Sequence, residues 1–329
     1  MAYGIVVNGR SLGGLNSPSL LATLVEPKTN GNYEHWIAPS NFRPGNAVFC
    51  AGTTGWVFGS STNPAVYGGL PGWRTEGANI ILRFTTKGGQ ANFTNFNVYQ
   101  VQRPENISGT YGIMIQDSVN WMSINSDQQL GFVVWKGDVS INDSWEVPVV
   151  QNDSTKIVFV RCDDEGVCVS HRPEQNRIYV SRDNGEGEPV ATTAMIRVLI
   201  MNSGYYPPTP NGYGLVIKNA LGQNTFTSDV TPLVWDGRQG VVDRIPDNVT
   251  WTGLERPMIP IPICGYQRGN REMNGGYYNY HTNGFRFVNG GGFRYWRGRG
   301  GSRVLTKWSS TDFYAANIPL MVINADHYF

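Results

Sequence analysis

Residues 213–235 read YGLVIKNALGQNTFTSDVTPLVW, and the same stretch recurs in altered form at two earlier places. Residues 3–25 read YGIVVNGRSLGGLNSPSLLATLV, and residues 111–135 read YGIMIQDSVNWMSINSDQQLGFVVW. Each copy opens on Tyr-Gly, passes through an apolar run into a polar turn and ends on a second apolar run, the pattern of a β-hairpin. The copies start 108 and 102 residues apart, at Tyr3, Tyr111 and Tyr213. That period matches one small domain and exceeds the ~20–50 residues of a solenoid repeat.

Further landmarks keep the same spacing. Ser126-Asp127 and Ser228-Asp229 each lie 15 residues after their tyrosine, and Ser17-Pro18 lies 14 after Tyr3. Cys50, Cys162 and Cys264 each end an apolar run, 47, 51 and 51 residues after the respective tyrosines. Apolar runs also close each copy, at Phe96 to Tyr99, Ile196 to Met201 and Leu320 to Ile323. The chain therefore reads as three modules, 1–103, 110–204 and 213–329. Arg103 to Gly109 reads as a turn-rich linker. Tyr205 to Gly212 reads as a linker stiffened by three prolines that fixes the spacing of the second and third modules.

Composition sets the class. Among 329 residues, 40 are glycine and 19 proline while only 16% are charged, which describes a turn-rich, strand-rich chain. The expected fold is all-β, with three tandem β-sandwich-like domains. A formal net charge of +1 provides no global field to draw the protein to nucleic acid or an acidic membrane. No apolar run approaches the ~18 residues of a spanning helix, and the N-terminal segment lacks the pattern of a signal peptide, so synthesis in a cytoplasm is expected. Four cysteines are too few for a disulfide framework, and the three in matching places read as small buried apolar residues. Cys168 stands outside that pattern and could bridge Cys162 across the turn 163–167. The five Asn-x-Ser/Thr sequons, at Asn92, Asn106, Asn142, Asn152 and Asn248, read as turn chemistry.

The least ordinary stretch is 268–303, read as an insertion in the third module. It holds seven arginines among eight Phe, Tyr and Trp residues, with Glu272 as its one acid. Aromatic faces with guanidinium donors suit a sugar; Arg-Gly with interleaved rings suits single-stranded nucleic acid. The plainer reading is a hairpin, Phe285 to Val288 against Phe293 to Trp296 across Asn289 to Gly292. Its alternation would put rings on one face and arginines on the other, packed on a neighbouring subunit. Tyr277, Tyr278, Tyr280, Phe285, Arg286, Phe293, Arg294, Tyr295, Trp296 and Arg297 are the candidate partner- or glycan-contacting residues.

Catalysis finds no motif. His35, His171, His281 and His327 are dispersed, and no His-x-x-x-His, Cys-x-x-Cys or Gly-x-Ser-x-Gly pattern occurs. No catalytic residue, metal or cofactor is expected. The acidic turn Arg182 to Glu188 lacks the ligand spacing of a calcium loop, and Asp127 and Asp229 read as turn caps.

The opening Met1 to Val7, and more fully Tyr213 to Gln223 leading to Thr227-Ser228-Asp229, resembles the N-terminal strand-turn-strand of accessory tail-tip virion proteins of long-tailed bacteriophages. The likeness covers about 25 residues of each module, and the first module departs from it with Ser17-Pro18 in place of Ser-Asp. It implies a non-enzymatic structural component of a tail tip or baseplate, made in the host cytoplasm and located in the virion. Other tail proteins would be its partners, with multiple copies around a symmetric tail. A receptor-binding protein that takes a cell-surface glycan, and a polysaccharide hydrolase with paired carboxylates, stand as alternatives.

Overall fold

The computed structural model describes residues 6–7, 10–11, 18–25, 32–52, 67–87, 95–101, 112–116, 121–125, 130–186, 188–235, 237–241, 248–262, 265–273, 277–299, 313–315 and 319–329. Strands account for most of them, and the helical segments among them are single 3-10 turns such as Asp153–Thr155 and Ala325–His327.

The first third of the chain carries β1 (Val6–Val7), β2 (Arg10–Ser11), β3 (Pro18–Val25), β4 (Asn32–Ile37), β5 (Ala47–Gly52), β6 (Tyr67–Glu76), β7 (Asn79–Lys87) and β8 (Asn95–Val101). The second carries β9 (Gly112–Gln116), β10 (Trp121–Asn125), β11 (Phe132–Asn142), β12 (Ser144–Glu146), β13 (Lys156–Cys162), β14 (Cys168–Arg172), β15 (Arg177–Asp183), β16 (Pro189–Ala191) and β17 (Thr193–Asn202). The last carries β18 (Val216–Lys218), β19 (Asn224–Thr227), β20 (Arg238–Val241), β21 (Thr250–Trp251), β22 (Pro257–Pro260), β23 (Gly265–Met273), β24 (Tyr277–Val288), β25 (Gly292–Arg297), β26 (Phe313–Ala315) and β27 (Pro319–Asn324).

The repeat is visible as topology. Each third opens on a two-stranded hairpin, β1-β2, β9-β10 or β18-β19. Two layers of three strands follow, connected alike in every third: β3-β8-β5 with β4-β7-β6, then β11-β17-β13 with β12-β15-β14, then β20-β27-β22 with β21-β25-β24. Within each, the first, sixth and third strands form one layer and the second, fifth and fourth form the other. A bulge recurs too, between Leu20 and Ala22 against β8 and between Val133 and Trp135 against β17. The fold is all-β and sandwich-like in each repeat.

The second and third repeats are fused rather than spaced. Strand β13 pairs antiparallel with β22 through Phe159↔Pro260 and Val160↔Ile259. In the other layer β14 pairs with β24 through Cys168↔Arg286 and Val169↔Phe285. One layer thus runs β11-β17-β13-β22-β27-β20, a palindrome of corresponding strands. Edge strands carry unsatisfied N–H and C=O groups, and pairing corresponding edges satisfies both at once. One hydrophobic core, from Val158, Ile196 and Ile200 to Ile259, Phe285 and Val322, spans both repeats. The 205–212 segment, expected as a spacer, is packed in place: Pro207 is buried, its carbonyl accepts from Asn224 Nδ2 at 2.8 Å, and the Tyr205 ring meets Phe132 at 6.3 Å. The 103–109 linker lies outside the described residues.

The first repeat lays its β3-β8-β5 layer on the outer face of this six-stranded sheet. Phe49, Tyr99 and Val101 pack there with Ile157, Phe159, Met201, Met258 and Ile323. Tyr99 Oη donates to the Thr155 carbonyl at 3.0 Å, and Asn97 Nδ2 to that of Ser154 at 2.5 Å. This stacking explains β17. Its first half alternates, with Ala194 and Ile196 buried and Thr193 and Met195 exposed, while Val198 to Asn202 is buried on both faces. Continuous apolar sequence marks where a sheet is covered twice.

Two sequence expectations need correcting. The fourth and fifth strands of the third repeat, β24 and β25, fall inside 268–303, so this stretch is not an insertion; β23 and β26 are the added strands. Nor do Cys162 and Cys168 face each other across a hairpin, because β13 and β14 belong to opposite layers. Both are free and buried, as is Cys50. Cys264 lies outside the described residues.

Candidate functional site

The β24-β25 hairpin forms where expected but one residue out of the expected register: Val288 pairs with Gly292, so the turn is Asn289 to Gly291, and Phe285↔Tyr295, Arg286↔Arg294 and Phe287↔Phe293 face each other. Gly290 and Gly291 turn it with φ of 85° and 93°, backbone that side chains rarely adopt. Four of the five rings separate from the arginines by face, and Trp296 does not. Phe285, Phe287, Phe293 and Tyr295 are buried in the shared core, with Phe285 edge-on to Phe293 at 5.8 Å and to Tyr295 at 6.4 Å. Phe285, Phe293 and Tyr295 are therefore core residues rather than contact residues, because the fourth and fifth strands of a sandwich must bury their apolar face. Tyr277, Tyr278 and Tyr280 lie on the far half of β24, opposite Met273, Glu272 and Arg268 of β23; their side chains lie outside the described residues.

Arg286, Arg294 and Trp296 occupy the opposite face. The Trp296 ring is only partly buried, and three guanidinium carbons surround it, Arg286 at 4.1 Å, Arg294 at 5.3 Å and Arg297 at 5.9 Å from its centroid, within cation–π range. Two arginines and a histidine of the basic stretch are bound to the second repeat. Arg297 Nη1 pairs with Asp183 at 3.0 Å, Arg299 pairs with Asp143, and His281 Nε2 meets Glu188 at 2.7 Å. Ser170 Oγ donates to the Arg299 carbonyl at 2.9 Å, and Asn289 N donates to Glu165 at 2.6 Å. The neighbour expected for this hairpin is, for these contacts, the preceding repeat of the same chain. Sequence reading missed the acids that complete the contact, because they stand more than 90 positions away.

Burial lowers the Arg286 pKa, and the nearby Arg294 and Arg297 charges lower it further against the opposing pull of Cys168 and Asp183. Burial likewise pushes the Cys168 thiol up to about 12 and the Cys162 thiol up to about 11, so neither is a poised nucleophile.

A second feature is an open cleft of about 440 Å³ lined by Asp138, Arg161, Asp163, Asp164, Thr193, Met195 and Arg197. Its acids are clamped. Asp138 takes Arg197 at 2.8 and 3.2 Å, Asp163 takes Arg161 at 2.5 Å, and Asp164 takes Arg182. No carboxylate of this set is left without a guanidinium to serve as an acid or base. In the 182–188 turn, Asp183 and Asn184 oxygens accept from Gly185, Glu186 and Glu188 N–H groups, the turn role expected. Ser228 Oγ accepts from Leu215 N at 3.1 Å; Asp127 lies outside the described residues. Among the described residues no three His, Cys, Asp or Glu side chains converge as metal ligands.

Fold and site together define an all-β protein of three like-wound repeats, two of them sharing a core, with a cationic, Trp-centred face at the seam. The chain belongs to DUF6453, a family of unknown function whose model matches residues 11–310. No curated protein and no solved structure matches it.

Proposed function

We propose that the chain is a non-enzymatic structural component of a bacteriophage tail tip or baseplate that works through protein–protein assembly. The observation that carries this reading is the joining of the second and third repeats by their corresponding edge strands. A unit that associates with its own copy through sheet edges is suited to places around a symmetric axis. The outer end of the six-stranded sheet adds a surface for a neighbour, since Val241 at the end of β20 and nearby Trp251 are 45% and 60% exposed. The Tyr-Gly hairpin likeness to tail-tip proteins supports the same reading. Gold-labelled antibody against the chain, applied to particles purified from an infected culture, is expected to mark the distal end of the tail. Particles of constant composition that lack the chain, while infected cells contain it, would overturn the reading. Binding of a cell-surface glycan is a second reading, favoured by the partly exposed Trp296 among guanidiniums.

A further inference from the structure

Arg286 and Arg294 stand directly opposite each other on paired strands, an arrangement in which like charges repel. Arg286 is 8% exposed, and the Nε atoms of both residues are buried without a hydrogen-bond partner. Among the described residues neither guanidinium has an ion pair, whereas the adjoining Arg297 is matched by Asp183 and Arg299 by Asp143. A buried guanidinium that stacks on a ring but meets no hydrogen-bond acceptor leaves most of its hydration unreplaced. Setting the partly buried Arg294 in register with it, the two guanidiniums 5.3 and 4.1 Å from the centroid of a partly open indole, gathers a local charge of about two. One doubly charged tetrahedral anion would balance that charge, taking a fork of two N–H donors from each arginine.

We propose that Arg286 and Arg294, with Trp296 beside them, form a binding site for a phosphate or sulfate group at the seam between the second and third repeats. The site does not depend on the assembly reading, and its failure would leave that reading untouched. The anion is either a free ion or a group carried on a sugar, whose ring would lie against Trp296.

Scanning calorimetry of the full chain tests the site, comparing phosphate or sulfate with chloride at equal ionic strength. Because both anions also stabilise proteins through exclusion from the surface, the decisive quantity is the difference between native chain and variant. The native chain is expected to gain a saturable rise in melting temperature that Arg294→Gln loses. Arg286→Met removes an uncompensated charge, so it is expected to melt no lower than the native chain in chloride while losing the same rise. If that variant fails to fold, Arg294→Gln carries the comparison. Titration calorimetry with inorganic phosphate, glucose 6-phosphate and glucose then distinguishes the sources. Tighter binding of glucose 6-phosphate than of phosphate assigns the group to a sugar, and equal binding assigns the free ion. Loss of either arginine should weaken binding roughly tenfold or more. An equal rise in native chain and variants, or saturable binding of acetate but not phosphate, would overturn the proposal.

Discussion

Tyr295 and Trp296 are neighbours in sequence with opposite surroundings. Tyr295 fills the shared core, whereas Trp296 lies on the other face among arginines. Truncation to alanine should separate them: Tyr295→Ala is expected to lower unfolding free energy by about 3–5 kcal/mol in a urea titration, and Trp296→Ala by much less. Alternation along 285–296 made the two faces legible in sequence. What covers each face was not legible, because the covering residues come from distant strands. His171 carries a second consequence of burial. Its Nε2 is enclosed without a partner, and burial, with a smaller contribution from Lys156, lowers its pKa to about 3. A folded-state pKa below the unfolded ~6.5 means stability is fully present above that value and declines as pH falls toward 3. His171→Gln is expected to flatten this part of a stability-against-pH curve, and an unchanged slope would contradict it.

Glycines set the limits of the β24-β25 hairpin. A Cβ at Gly291 would lie 1.5 Å from the Leu254 carbonyl oxygen, on backbone with φ of 93°. Gly291→Ala should therefore destabilise the chain by several kcal/mol, about the cost of positive-φ strain plus a displaced segment, read as a lowered melting temperature. Gly290→Ala, with no atom nearer than Trp251 at 3.6 Å, should cost less. Sequence showed a Gly-rich turn here; which glycine meets backbone is a matter of the Leu254 loop packed against it. Similarly, the Tyr-Gly stretches marked three hairpins, but their second strands end at or before the Ser-Asp landmark in the later two repeats. The apolar runs after that landmark instead meet each other, with Val133 N donating to Thr231 O at 2.9 Å and Leu233 N to Gly131 O at 2.8 Å.

The shared core makes a prediction for the assembled chain. Because the second and third repeats divide one set of buried residues and one pair of sheets, they should unfold in a single calorimetric transition. Residues 213–329 produced alone should expose the β22 edge and half a core, and are expected to aggregate or remain unfolded by circular dichroism. A monomeric, cooperatively folded fragment would contradict the fused arrangement. The strand-rich class and the alternation of the β24-β25 hairpin were readable from residue order, since periodicity and turn chemistry are local properties, while its register was not, the turn being one residue shorter than the Gly-rich run suggested. Edge pairing of corresponding strands, the stacking of the first repeat on the outer face and the enclosure of Arg286 were not. They depend on surfaces that exist only once each repeat has folded, and on contacts such as Tyr99 with Thr155 and Arg297 with Asp183 that no local pattern encodes.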